Sequence, residues 1–245
     1  MSHPNPENPV TKMATPASSQ ESLELADSER PVPAAQEHPT PPVPDVPKQA
    51  AELAARGEMS AALAMLRAFV AGEPGSARGR TALAGLLERR GDLEGALNEL
   101  GRALESAPDD VNVLCARATL LGSRGRYEQA EADLRRAAKT DASSAEVQVQ
   151  LGMLFSKRAR WREAIEPLRA AITAEPSRAD AHYQLGEAYN HIDDLVSALA
   201  SYEAAAALQP TNMRALKGIG IVLDRMGRPA EAAAAYRRAR DSQKR

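Results

Sequence analysis

The chain contains 245 residues with a formal net charge of -2, which is too weak for the strongly basic surface of a typical nucleic-acid-binding domain. Its single cysteine, Cys115, excludes an intramolecular disulfide and a cysteine-rich zinc site. The first ten residues lack an apolar signal sequence, and no stretch approaches the roughly 20 apolar residues of a membrane span. Together with few aromatic residues and abundant alanine and leucine, these properties favour an all-helical cytoplasmic protein.

Residues 1–46 are predicted to form a disordered, acidic and proline-rich arm. Eleven of the 17 prolines fall in residues 1–47, and residues 1–46 carry seven acidic against two basic side chains, a balance of -5. Such a composition buries too little apolar surface to fold. The proline run at 39–47 favours a polyproline helix. We interpret this run as a spacer, although its P-x-x-P spacing would also suit an aromatic-lined SH3-type groove.

Beyond the arm, the sequence repeats with a period of 34 residues. Four prolines are separated by 34 residues or by twice 34, and an alanine recurs six times at this interval without a gap. The prolines are Pro74, Pro108, Pro176 and Pro210, and the alanines are Ala62, Ala96, Ala130, Ala164, Ala198 and Ala232. A fixed period of this length indicates a stack of structural repeats.

Each period contains two apolar patterns of helical spacing with a short polar turn between them, which predicts a helical hairpin. Glycine in the inner turns, as at Gly91, supplies the positive φ that ends the first helix. The predicted N-caps follow the prolines and are Asp109 or Asp110, Ser177, Thr211 or Asn212, and Ser143 in a capping box with Glu146. Because Pro167 lies inside a predicted helix, we expect a kink or a late start there.

The hairpins resemble the tetratricopeptide repeat family, whose 34-residue unit has small residues where helices cross. The fifth period carries the resemblance through Leu185, Gly186, Tyr189, Ala198, Tyr202, Ala205 and Pro210. The resemblance implies an all-α fold, a right-handed α-solenoid of about six hairpins in residues 47–245. The expected repeats are 43–76, 77–110, 111–144, 145–178, 179–212 and 213–242. The first is degenerate, a truncated cap, because Pro47 shortens its first helix.

No catalytic, metal or cofactor site is predicted. His182 and His191 are nine residues apart on one predicted helix, so they cannot face a single metal from adjacent turns. Gly218 and Gly220 lie within a helix rather than after a strand, and no phosphate-binding G-x-x-x-x-G-K-[ST] loop occurs. We therefore expect a protein that is not an enzyme and that binds no cofactor.

The resemblance implies that a partner peptide lies in the concave groove formed by the first helix of each hairpin. The predicted groove residues of repeats four to six are Val149, Met153, Lys157, Tyr183, Glu187, Asn190, His191, Arg214, Lys217 and Arg225. Without a partner, the same residues would be ordinary solvated positions. Cys115 also faces this groove in the predicted phase, and we interpret it as a small hydrophobe rather than a reactive thiol. The carboxylate clamp of chaperone-binding relatives is absent.

The leading hypothesis is an adaptor or scaffold that binds a protein or peptide partner but no nucleic acid. The alternative is a structural subunit that forms homo-oligomers through an uncapped C-terminal repeat, or a bacterial pilus or secretion assembly factor or chaperone. Residues 213–245 carry nine basic against three acidic side chains. This basic segment suits an acidic partner or forms an ordinary solvated helix face.

Overall fold

The structure is a computed structural model that describes residues 45–242, and within this range it contains twelve α-helices and no strand. The helices are α1 Val46–Ala55, α2 Met59–Gly72, α3 Ala77–Arg89, α4 Leu93–Ser106, α5 Val111–Ser123, α6 Tyr127–Thr140, α7 Ala145–Lys157, α8 Trp161–Ala174, α9 Ala179–His191, α10 Leu195–Leu208, α11 Met213–Arg225 and α12 Pro229–Ser242. None of these helices is both long enough and apolar enough to cross a bilayer. The predicted disordered arm lies outside the described residues, except for its last two positions.

The helices follow the period of the sequence. From α4 onwards, each helix begins 34 residues after its counterpart in the preceding hairpin. The recurring alanines at 62, 96, 130, 164, 198 and 232 are all 0% exposed, which confirms the predicted register. The first helix, α1, has 10 residues where α3 has 13. Pro47 occupies its first turn, as expected for a proline that shortens a helix.

The N-caps recur at 34-residue intervals, which corrects two sequence predictions. Ser144, and not Ser143, caps α7 by accepting a hydrogen bond from the Val147 N–H. The predicted capping box with Glu146 is therefore wrong. The N-cap of α9 is Arg178, whose side chain cannot accept such a bond, so Ser177 is not a cap either. The caps at Asp110 and Asn212 are confirmed.

The turn inside each hairpin places one residue at positive φ. Four of these residues are glycines, and the other two are Ala159 at 55° and Asp193 at 68°. Pro167 lies inside α8, which nevertheless begins at Trp161 in register with the other second helices. The predicted late start is therefore wrong, and the alternative, a kink at Pro167, stays a prediction.

The hairpins stack side by side into an α-solenoid. Each odd-numbered helix contacts the next odd-numbered helix, whereas successive even-numbered helices do not contact one another. The odd-numbered helices therefore form the inner, concave side of the stack, and the even-numbered helices form the outer side.

Buried ion pairs reinforce the middle of the stack. Arg117 on α5 binds Asp133 on α6 through two hydrogen bonds of 2.7 and 2.6 Å. Glu131, also on α6, accepts hydrogen bonds from Arg158 and Arg160 of the next hairpin. Both carboxylates are only 6% exposed, so they depend on these partners for their stability in the folded state.

Candidate functional site

The candidate site is the inner groove, which we define as the exposed and half-buried side chains of α3, α5, α7, α9 and α11. One row along this groove shows how its character changes from repeat to repeat. The row consists of Gly85, Thr119, Met153, Glu187 and Ile221, each 34 residues after the last. Met153 is 37% and Ile221 46% exposed, so the groove presents apolar side chains that could contact a partner.

An open pocket, the Leu134 pocket, lies between α5 and α7. The pocket is named after its floor residue, which comes from α6 and is 2% exposed. The walls are formed by Ala118, Thr119, Gly122, Gln150, Met153, Leu154 and Lys157. These side chains give it an apolar interior with a polar rim. The predicted groove residues Met153 and Lys157 therefore share one pocket.

A second pocket, the Leu100 pocket, occupies the equivalent place one repeat earlier, between α3 and α5. Its walls are Thr81, Ala84, Gly85, Glu88, Ala116, Thr119 and Leu120. The cavity measures about 250 Å³, against about 70 Å³ for the Leu134 pocket. Smaller side chains explain the difference, since Gly85 and Ala116 stand where the later pocket has Thr119 and Gln150.

Between α9 and α11 the corresponding floor residue is Tyr202, and its ring occupies the space. The ring packs against Gly186 and Gly218, where an added Cβ would lie only 2.7 Å from ring atoms of Tyr202. Its hydroxyl donates a hydrogen bond to Glu187 in the groove. Burial and this neighbouring carboxylate raise the pKa of Tyr202, so the phenol remains protonated.

The predicted groove residues of α9 and α11 form a linked cluster. Tyr183 is half-buried beside Tyr202, with ring centroids 5.8 Å apart. Burial, reinforced by Glu187, raises the pKa of Tyr183, and the charge of Arg214 opposes that shift. All of these side chains therefore lie near one another, and their contact with a partner stays a prediction.

Asn190 is already bonded to Arg225. The Nη1 group of Arg225 donates to the Asn190 backbone carbonyl at 2.9 Å and also to the Asn190 side-chain oxygen. The Nη2 group binds Asp193 at 2.5 Å. These bonds tie α11 to the end of α9, so Asn190 and Arg225 contribute mainly to the wall of the groove.

One predicted groove residue is buried, and another lies at the end of the groove. Val149 is 2% exposed and packs with Ala171 and Ala181, because the next hairpin covers this position. The prediction that Val149 lines the groove surface is therefore wrong. Lys217, at the equivalent place in α11, is exposed beside Tyr236 at the last hairpin.

His191 is the last residue of α9 and lies at the margin of the groove, beside the inner turn that precedes α8. Its ring stacks on Trp161, with the centroids 3.7 Å apart and the planes within 3°. Cys115 is 7% exposed, and burial raises the pKa of its thiol to about 11. A small core hydrophobe is thus the better interpretation of Cys115 than a reactive thiol.

Histidines and carboxylates do not gather into a metal site in residues 45–242. The Nε2 atom of His182 lies 3.0 Å from the Pro176 carbonyl oxygen, so this ring is engaged with the backbone before its own helix. The His191 ring stacks on Trp161, as described above.

Sequence reasoning missed Thr119, Gln150 and both leucine floors. The period contained a signal for Thr119, which stands 34 residues before Met153. The pockets had no such signal, since each depends on the combined volumes of several side chains from three helices. Both pockets therefore lie among α3 to α7, of which only α7 belongs to the predicted repeats four to six.

Paired helices stacked around an inner groove define a helical-repeat scaffold, and sequence comparison gives its family. Models described as Tetratricopeptide repeat match residues 149–212 and 194–244, residues 53–120 and residues 111–144. The chain belongs to the tetratricopeptide repeat family. Members of this family bind protein or peptide partners, and in that general sense the chain is a protein-interaction scaffold. No curated protein matches the sequence.

Solved structures share the fold. A crystal structure of MamA is 25% identical, with a TM-score of 0.62, and the match covers 66% of this chain and 95% of MamA. The structure of pilF from Pseudomonas aeruginosa is 20% identical, with a TM-score of 0.69 over 78% of this chain and 86% of pilF. YrrB, described as a TPR protein with an unusual peptide-binding site, is 19% identical, with a TM-score of 0.60 over 73% of this chain and 92% of YrrB.

Proposed function

We propose that the protein is a non-catalytic adaptor that holds a segment of a partner protein in its inner groove. The observation that carries this proposal is the pair of open apolar pockets at equivalent places on the inner side. Concave apolar pockets with a few polar groups at the rim are typical of binding sites. YrrB, which shares the fold, is described as having a peptide-binding site.

The charges of the groove and of the whole chain suit a protein partner. Among the described residues, Glu146 is bonded to Arg178 and Gln150, and Glu187 is bonded to Tyr202. These hydrogen bonds hold both carboxylates in the wall of the groove. The weak net charge of -2 argues for a partner other than nucleic acid.

We propose that the protein is located in the cytoplasm. Cell fractionation with compartment markers tests this location.

Two matched substitutions test the groove. Met153→Glu puts a charge at the rim of the Leu134 pocket, and Val196→Glu makes a similar change on α10, where Val196 is 71% exposed. Partners are first identified by proximity labelling in the source cells and mass spectrometry, and are then purified. We expect Met153→Glu to weaken binding of the purified partner and Val196→Glu to leave it unchanged. Equal binding by both variants would contradict the groove as the binding site.

Self-assembly is a second candidate, favoured by one observation at the last hairpin. Tyr236 is 36% exposed, although its counterpart Tyr202 is 0% exposed under the following hairpin. An exposed aromatic ring beside Met213 and Ala239 offers apolar area to a second copy. Sedimentation velocity over a wide concentration range tests this candidate: a dimer weakened by Tyr236→Ser supports it, and a monomer at all concentrations rejects it.

A complex-assembly role, such as in pilus or secretion assembly, remains a further form of this second proposal. The likeness to pilF at 20% identity concerns the fold alone. Recovery of the protein in a stable multi-subunit complex from its source cells would support the assembly role, and recovery only as a free chain would count against it.

A further inference from the structure

The Leu100 and Leu134 pockets are two copies of one structure, and their separation is set by the fold. Both lie between successive odd-numbered helices, and Thr119 forms part of the wall of each. Adjacent packed helices are about 8–10 Å apart. Two side chains of one ligand therefore fill both pockets only if they point the same way and are separated by about that distance.

A polyproline helix meets this spacing. It rises about 3.1 Å per residue with three residues per turn, so side chains three residues apart lie on one face at about 9 Å. In a β-strand, side chains on one face repeat at about 6.6 Å, which is too short. An α-helix reaches about 10.5 Å only between side chains seven residues apart.

A free hydrogen-bond donor in the Leu134 pocket favours the polyproline form over the α-helix. Thr119 lies in the wall that both pockets share, and Gln150 lies across the Leu134 pocket on α7. The Gln150 Nε2 group uses one hydrogen bond, to Glu146 at 2.8 Å. An amide nitrogen has two donors, so one remains for a ligand. An α-helix has satisfied its own carbonyls, whereas a polyproline helix has no internal hydrogen bonds and presents free carbonyls.

The rims of the two pockets carry opposite charges. Glu88 lines the Leu100 pocket and Lys157 lines the Leu134 pocket, and neither forms an ion pair within residues 45–242. Their charges remain available to a ligand, and they give it a direction. The larger Leu100 pocket also has room for a larger side chain than the Leu134 pocket.

We propose that the groove of α3 to α7 binds a polyproline-type segment with two apolar side chains three residues apart. The larger side chain enters the Leu100 pocket with a basic residue near Glu88, and the smaller enters the Leu134 pocket with an acidic residue near Lys157. This inference rests on the proposed adaptor function and specifies the chemistry of its partner.

Glycine positions allow each pocket to be closed without disturbing the core. Gly122 corresponds to Ser156 and Asn190 in later repeats, and a Cβ added there would meet only a Leu154 methyl at an ordinary 3.6 Å. Gly122→Leu therefore fills the Leu134 pocket, and Gly85→Leu, with open space at its Cβ, fills the Leu100 pocket. The matched control is Gly101→Leu on α4, where space is also open.

The probes are short fluorescein-labelled, proline-rich peptides with a Phe and a Leu three residues apart, preceded by Lys and followed by Asp. Companion peptides change the spacing to two or four residues, exchange the two charges, or place the apolar pair seven residues apart in an alanine-rich helix. Binding is measured by fluorescence anisotropy with the full chain. Thermal unfolding of each variant is followed alongside, and each should be at least as stable as the parent, because leucine favours helices over glycine.

We expect the peptide with the three-residue spacing to bind most tightly. Gly122→Leu and Gly85→Leu should each weaken the binding of this peptide about tenfold, and Gly101→Leu should leave it unchanged. A peptide with its Lys and Asp exchanged should also bind more weakly, because its basic residue then lies near Lys157. The Lys157→Glu variant should recover part of the affinity for this exchanged peptide. Undiminished binding by Gly122→Leu, tighter binding of the helical peptide, or no binding of any peptide would overturn the inference. The adaptor function would survive those results if Met153→Glu still releases the purified partner, and it would fall if that variant binds normally.

Discussion

Replacing Tyr202 by alanine tests how much the packing between adjacent hairpins contributes to the free energy of unfolding. Tyr236→Ala is the matched variant in the last hairpin. Each ring packs on the equivalent glycine of the preceding helix, and each hydroxyl donates to a carboxylate, Glu187 or Asp224. The difference lies in the next hairpin: Tyr202 is 0% exposed and Tyr236 is 36% exposed.

The magnitude follows from that difference in burial. Removing a fully buried aromatic side chain costs about 3–5 kcal/mol, because apolar burial is lost and a cavity remains. At Tyr236 solvent already reaches one side of the ring and no enclosed cavity forms, so we expect about 1–2 kcal/mol. The two variants should therefore differ by roughly 2 kcal/mol in the free energy of unfolding.

Urea unfolding followed by circular dichroism at 222 nm measures this difference, and hydrogen exchange locates it in the chain. Exchange is needed because neighbouring repeats of a solenoid can unfold in part. Tyr202→Phe serves as the control, since it removes only the hydroxyl and should cost about 0.5–1.5 kcal/mol. Equal costs for Tyr202→Ala and Tyr236→Ala would refute the stacking described for the last two hairpins.

Three further predictions concern the core. Ala198→Trp overpacks a position that is 0% exposed and should cost about 1–3 kcal/mol or more, whereas exposed Ala200→Trp should change the melting temperature little. Burial raises the Cys115 pKa to about 11, so the reactive thiolate forms only as the pH rises towards that value. Ellman's reagent should therefore react slowly with Cys115 at pH 8 and rapidly once urea unfolds the chain. Arg117→Met leaves Asp133 buried without its two hydrogen bonds and should cost about 1–3 kcal/mol by urea unfolding.

The repeat architecture could be predicted from the sequence because the buried alanines and the turn glycines indicate the same helical hairpin. The unbroken alanine series fixes the register, and every one of its members is fully buried. Glycine in the inner turns marks where the first helix ends, as confirmed at Gly91 with φ of 88°. Local exceptions were harder: capping by Ser144 instead of Ser143 depends on which of two adjacent serines falls in phase with the other caps.

The site could be predicted only in outline. The period identified the inner helices, on which Tyr183, Glu187 and Arg214 lie close together, but it could not show that the following hairpin buries Val149. Nor could it show that Tyr202 closes the groove in the fifth repeat while leucine floors leave it open earlier. That difference arises from the volume of one side chain against the glycines facing it, and volume matching between helices is a tertiary property.

Hydrogen exchange of the chain with and without its purified partner tests the inner groove most directly. The groove account predicts that the partner slows exchange in α5 and α7, around Thr119 and Met153, and that the Gly122→Leu variant abolishes this protection. Protection confined to the outer, even-numbered helices, or retained in full by Gly122→Leu, would contradict it.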